Sequence, residues 1–113
     1  MKVVAKSNAE SVAGWLETGK VFTVLAVSSV ETEGSRFLIW SEKQESLALF
    51  PASDFEIKDA KLSRRWVASL DSNDFICLAP EKWQVDGFWE KYYDGDTVAE
   101  KIVEEEIRQM HSE

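Results

Sequence analysis

Apolar positions along this chain change their spacing twice. Ala9, Val12, Ala13 and Leu16 recur every three or four residues, with Trp15 beside them, the spacing of one helical face. Ser7-Asn8-Ala9-Glu10 precedes them as a capping box, and Gly19 stands where a helix C-terminus closes. The pattern predicts a short helix over 8–17. From Lys20 the period shortens. Val21-Phe-Thr-Val-Leu-Ala-Val27 is β-branched and apolar on both faces, as a central strand would be. Glu31-Thr-Glu-Gly34 reads as a turn, Arg36-Phe-Leu-Ile-Trp40 as a second strand and Ser41-Glu-Lys-Gln-Glu45 as a polar connection. Leu47-Ala-Leu-Phe50 follows and stops at Pro51, which cannot donate to a ladder. Phe55-Glu-Ile57 alternates like a short edge strand. Arg65–Leu70 and Phe75–Leu78 flank Asp71-Ser-Asn-Asp74, a hairpin with its turn, and Pro80 ends the run.

Beyond Pro80 the helical period returns. Pro80-Glu-Lys-Trp83 is a turn carrying an aromatic, and Phe88–Tyr93 has room for one or two helical turns. Thr97-Val-Ala-Glu100 reads as a second capping box, with Asp94 and Asp96 placed where the helix dipole favours negative charge. Ala99, Ile102, Val103, Glu106, Ile107 and Met110 share one face of the helix that follows. The opposite face carries Glu100, Lys101, Glu104, Glu105 and Arg108, with Glu104 and Arg108 in the favourable order for an ion pair. These elements predict an α+β fold. An antiparallel meander of five to six strands curls into a half-open, SH3-like small barrel, between a short N-terminal helix and a longer amphipathic C-terminal one. The pattern shows no linker, internal repeat, low-complexity segment or second domain, so 113 residues read as a single domain, 1–113. It assigns no oligomeric state.

Charge narrows the class of partner. The net charge is −8, and residues 81–113 supply most of it, with ten acidic against four basic residues. That field repels nucleic acid and anionic membranes and speeds encounter with a basic partner. Arg64 and Arg65 are the one adjacent basic pair, too little for a nucleic-acid footprint. No apolar run approaches the roughly 20 residues of a membrane span, and no signal-peptide core follows Met1. Together with the single cysteine, Cys77, this points to the cytoplasm.

Chemistry adds little. His111, the sole histidine, lies far along the chain from Cys77, and Cys77 is expected to alternate inward with Phe75. Asp94-Gly-Asp96 and Glu100 lack the spacing of a calcium loop and are accounted for by a turn and a helix cap. There is no glycine-rich phosphate loop and no nucleophile elbow. No catalytic, cofactor-binding or metal-ligating residue is assigned, no cofactor is expected, and the chain reads as a non-enzyme. A small hydrolase would need a deep pocket with convergent polar groups.

The aromatics carry the remaining signal. Phe37, Trp40, Phe50, Phe55, Trp66 and Phe75 fall in strand patterns and are expected in the core. Trp83, Phe88, Trp89, Tyr92 and Tyr93 lie beyond the strands, with Phe88 and Trp89 expected inside and Tyr92 or Tyr93 outside. Tyrosine and tryptophan carry much of the binding energy at protein interfaces. The predicted contact surface is therefore Glu90, Tyr92, Tyr93, Asp94, Glu104 and Glu105, with the charges steering and the tyrosines anchoring.

Five stretches also carry a resemblance: Gly19-Lys-Val-Phe-Thr-Val-Leu25, Leu49-Phe-Pro-Ala-Ser-Asp-Phe-Glu-Ile57, Ser63-Arg-Arg-Trp66, Leu78-Ala-Pro-Glu-Lys-Trp83 and Gly87-Phe-Trp-Glu-Lys-Tyr-Tyr-Asp-Gly-Asp96. In that order, across residues 19–110, the chain resembles small bacterial proteins of the immunity type, which protect a cell from polymorphic or contact-dependent toxins. The resemblance implies an inhibitor that binds a cognate toxin domain and does no chemistry. An acidic, aromatic surface suits a basic toxin domain as protein partner. The alternative is a small-barrel peptide-binding or regulatory module, with its groove among Trp40 and Trp66, or a small structural protein.

Overall fold

The computed structural model describes residues 1–32, 34–70 and 75–113. The strands are β1 (Lys2–Ala5), β2 (Val21–Thr23), β3 (Ala26–Val30), β4 (Gly34–Ser41), β5 (Ser46–Pro51), β6 (Phe55–Asp59), β7 (Trp66–Leu70) and β8 (Ile76–Pro80). Helices α1 (Phe88–Tyr93) and α2 (Thr97–His111) follow, with 3-10 turns at Ala52–Asp54 and Glu81–Gln84. Every strand pairing is antiparallel.

The α+β class is as expected, but the barrel is not. The strands form two sheets that do not close on each other: three strands in the order β2-β1-β6, and five in the order β5-β4-β3-β8-β7. The physical reason lies at Val24 and Leu25, two fully buried residues between β2 and β3. The expected single strand over 21–27 breaks there. The Val24 N–H donates to the Met1 carbonyl at 3.0 Å and the Leu25 N–H to the Leu38 carbonyl at 2.8 Å, so the chain passes from one sheet to the other without a loop. Consecutive side chains of an extended chain point to opposite faces. Val24 accordingly enters one core and Leu25 the other.

The same alternation divides β4. Phe37 and Ile39 face a core shared with Val3, Val12, Leu16 and Phe55, while Leu38 faces a second core beneath Trp83, Phe88 and the apolar face of α2. The five-stranded sheet is thus covered on both sides, by the three-stranded sheet on one and the helices on the other. Trp66, on β7, packs against both cores, and its indole N–H donates to the Leu25 carbonyl at 2.9 Å.

β1 is absent from the predicted elements because four residues are too few to display a period; it is the centre of its sheet, with Val3 opposite Phe22 and Ile57. β6 lies at that sheet's edge, as expected of Phe55-Glu-Ile57. The predicted helix over 8–17 does not form. Gly14 adopts a left-handed φ of 79°, which right-handed helix excludes, and only isolated turns remain, with the Leu16 and Trp15 N–H groups both donating to the Val12 carbonyl at 2.9 Å. Val12 and Leu16 still turn inward. This segment is fastened from outside, because the buried Ser41 hydroxyl donates to the Trp15 carbonyl at 2.6 Å and the Gln44 amide to the Gly14 carbonyl at 2.9 Å. The predicted turn Asp71–Asp74 lies outside the described residues, as does Glu33 of the turn Glu31–Gly34. No helix among the described residues is long and apolar enough to cross a membrane.

Candidate functional site

The corner between α1 and α2 is built by two glycines. Gly87, at φ 78°, opens α1, and Gly95, at φ 83°, turns the chain into α2. Asp94 closes α1, its N–H donating to the Glu90 carbonyl at 3.0 Å. The cap of α2 is Asp96 rather than the predicted Thr97. Its carboxylate accepts from the Val98 and Ala99 N–H groups at 2.9 and 3.0 Å. A charged side chain one residue earlier satisfies two of the free donors and meets the helix dipole as well.

On this corner the aromatics form one cluster centred on Trp89. Its ring lies 5.4 Å from Trp83, 5.3 Å from Phe88, 5.5 Å from Tyr92 and 6.1 Å from Tyr93. These separations and mostly edge-to-face angles are those aromatic pairs favour. Phe88 and Trp83 are buried, Trp89 and Tyr92 half-buried, and Tyr93 is 64 % exposed. The expected division thus holds for Phe88 and Tyr93, whereas Trp89 is less enclosed than expected.

Tyr92 and Tyr93 form part of the wall of a groove of about 700 Å³ between α2 and the hairpin that joins β4 to β5. Trp40 supplies the sheet side. Glu100 and Glu104 line it from α2, and Glu42 and Glu45 from the hairpin. Glu45 has a left-handed φ of 50°, a conformation few non-glycine residues adopt. Beyond Tyr93 a second, largely apolar hollow of about 370 Å³ lies against Leu38, Leu47, Leu49 and Trp89.

Of the predicted contact residues, Tyr92, Tyr93 and Glu104 meet in the groove. Glu90 faces a different hollow, beside Gln84 and Val85. Asp94 is exposed at the corner, and Glu105 is engaged along α2. The expected Glu104–Arg108 pair is replaced by Glu105–Arg108, with guanidinium–carboxylate distances of 2.6 and 3.0 Å. Gln109 also donates to Glu105, at 3.0 Å. Arg108 and then Gln109 hold the Glu105 carboxyl below the usual range. Glu104 is left without that cation. Among the described residues neither Glu100 nor Glu104 has an ion pair or side-chain hydrogen bond. Burial pushes the Tyr92 hydroxyl up from its ordinary pKa, and Tyr93, Glu100 and Glu104 push it the same way.

Glu42, Glu45 and Glu100 were not among the predicted contact residues, and Trp40 was expected to line a groove only in the alternative, peptide-binding reading. Glu100 precedes Glu104 by one helical turn. One member of the adjacent basic pair is occupied. Arg65 grips the buried carboxylate of Glu106 through two bonds of 2.8 and 2.7 Å, and the backbone N–H of Arg64 donates to the Glu113 carboxylate at 3.1 Å. Cys77 is half-buried rather than inside, and it lines the apolar hollow, whereas His111 lines the acidic groove. Comparison with protein-family models, with curated proteins and with solved structures gave no match.

Proposed function

We propose that this chain is a protein-binding domain of the immunity type, an inhibitor that occupies a basic surface of a bacterial toxin domain in the cytoplasm and performs no chemistry. The observation that carries the reading is the groove, where three aromatic rings meet Glu100 and Glu104, which among the described residues have no ion pair; Glu42, on the opposite wall, is paired with Lys20 at 3.6 Å. Aromatic anchors supply contact area and acids supply attraction at a distance. The net charge of −8 turns away nucleic acid and anionic lipid and favours a basic protein. A second reading, a peptide-binding or regulatory module working through strand aromatics, draws on Trp40, which lines the same groove; Trp66 is occupied between the two cores.

The test is capture of binding proteins from the native host, with mass spectrometry, at low and high salt. The expected result is one stoichiometric basic domain whose association slows steeply as the Debye length shrinks from roughly 10 Å at 0.1 M to 3 Å at 1 M salt. Tyr93→Ala, alone and with Tyr92→Ala, should weaken the complex while the circular dichroism and melting of the free chain persist. Capture that ignores salt supports the peptide-module reading. Variants that lose the folded state, with no separable loss of binding, count against the tyrosines as anchors.

A further inference from the structure

The groove has a more specific chemistry than an acidic surface. Its floor and walls present three rings, from Trp40, Tyr92 and Tyr93, and two carboxylates one helical turn apart, Glu100 and Glu104. Like charges four residues apart on a helix repel. Arg108, one turn beyond Glu104, also lines the groove, but its guanidinium is paired with Glu105 at 2.6 Å rather than with Glu104. The volume, about 700 Å³, suits a projecting side chain with part of its backbone. A cation seated there would relieve the repulsion and lie against ring faces, a favourable place for positive charge. A flat guanidinium meets these demands better than an ammonium, because it stacks on aromatic faces and forks to two acceptors.

We propose that the groove between α2 and the β4–β5 hairpin receives an arginine side chain of the protein partner, stacked among Trp40, Tyr92 and Tyr93 and paired with Glu100 and Glu104. The inference rests on the protein-binding reading above and names the group that the site recognises. Tyr93 contributes to both hollows, so the residue beside this arginine in the partner is apolar and reaches the surface formed by Leu47, Leu49 and Trp89.

The probe is a capped Gly-Arg-Gly peptide titrated into the full chain and followed by NMR, with the lysine and citrulline peptides as comparisons. Citrulline keeps the shape of arginine and removes its charge. The arginine peptide should shift the Trp40 indole and the amides of Tyr92, Tyr93 and α2, with the citrulline peptide about tenfold weaker. The variant Glu100→Gln/Glu104→Gln should weaken the arginine peptide by about tenfold or more without lowering the melting temperature of the free chain. Equal binding of the citrulline peptide, shifts confined to other faces, or indifference to the double variant would overturn the proposal. A lysine peptide that binds as well overturns the guanidinium assignment. Capture of a host protein that survives the double variant places the partner elsewhere, so the groove assignment fails while the protein-binding reading stands. Peptide binding in the groove without any captured protein leaves the guanidinium site standing and removes the protein-binding reading instead.

Discussion

Glu106 lies on the apolar face of α2 with only 3 % of its surface exposed, and one residue makes that tolerable. Arg65 reaches it from the segment before β7 and forms a two-bond fork, which also raises the Arg65 pKa. A buried carboxylate stripped of its partner is costly, about 3–5 kcal/mol when both groups are enclosed. The Arg65 side chain is 42 % exposed, and water can partly replace it. We expect Arg65→Ala to destabilise the chain by about 2 kcal/mol in urea denaturation. Replacing both members together, Arg65→Met with Glu106→Leu, should recover most of that loss. A double variant as unstable as Arg65→Ala would show that the pair is not what holds this contact. In the sequence, Glu106 was visible as the one charge on an apolar stripe, but its partner, remote along the chain, was not.

At the scale of elements, α2 illustrates what periodicity captures. Its face of Ala99, Val103 and Met110 is buried as the spacing predicts. The end of the helix is less well specified, because Thr97 and Asp96 are both competent caps and only the backbone decides between them. Asp96→Ala should cost about 1 kcal/mol by urea denaturation, and Thr97→Ala little. The reverse order would restore Thr97 as the cap. The failed helix over 8–17 has a similar cause. Val12 and Leu16 carry a helical spacing, yet Gly14 lies between them in the left-handed region, and hydrogen bonds from Ser41 and Gln44 hold the segment in turns. Those bonds arrive from β4 and the hairpin after it, so local pattern cannot anticipate them. The groove was opaque for the same reason. Trp40 and Glu100 share no sequence spacing, and only the docking of α2 beside the β4–β5 hairpin brings them together.

Across the whole molecule, the strands were largely recognisable from their apolar runs, but how they divide between sheets was not. The run from Val21 to Val27 is apolar on both faces because it crosses from one core to the other, and that looks the same as a single central strand. Trp66 joins the two cores, so it should join their stability. Trp66→Phe removes the bond to the Leu25 carbonyl and part of the shared packing, at an expected cost of about 2 kcal/mol. Hydrogen exchange supplies the check: amide protection at Val4, in the three-stranded sheet, and at Leu38, in the five-stranded one, should fall together. A fall confined to one sheet would show that the cores open separately.

The pairing of β1 with β6 has a consequence for the order in which the chain can fold. β1 spans Lys2–Ala5, and its second neighbour, β6, is Phe55–Asp59. Made from the N-terminal side by a ribosome, the chain presents β1 early, with only the three residues of β2 to pair on one flank until β6 has emerged. Loop closure over that distance must precede the gain from the contact. β1 is therefore flanked on both sides only once β6 has emerged, and Val3, wholly enclosed in the finished protein, stays open on that flank until then.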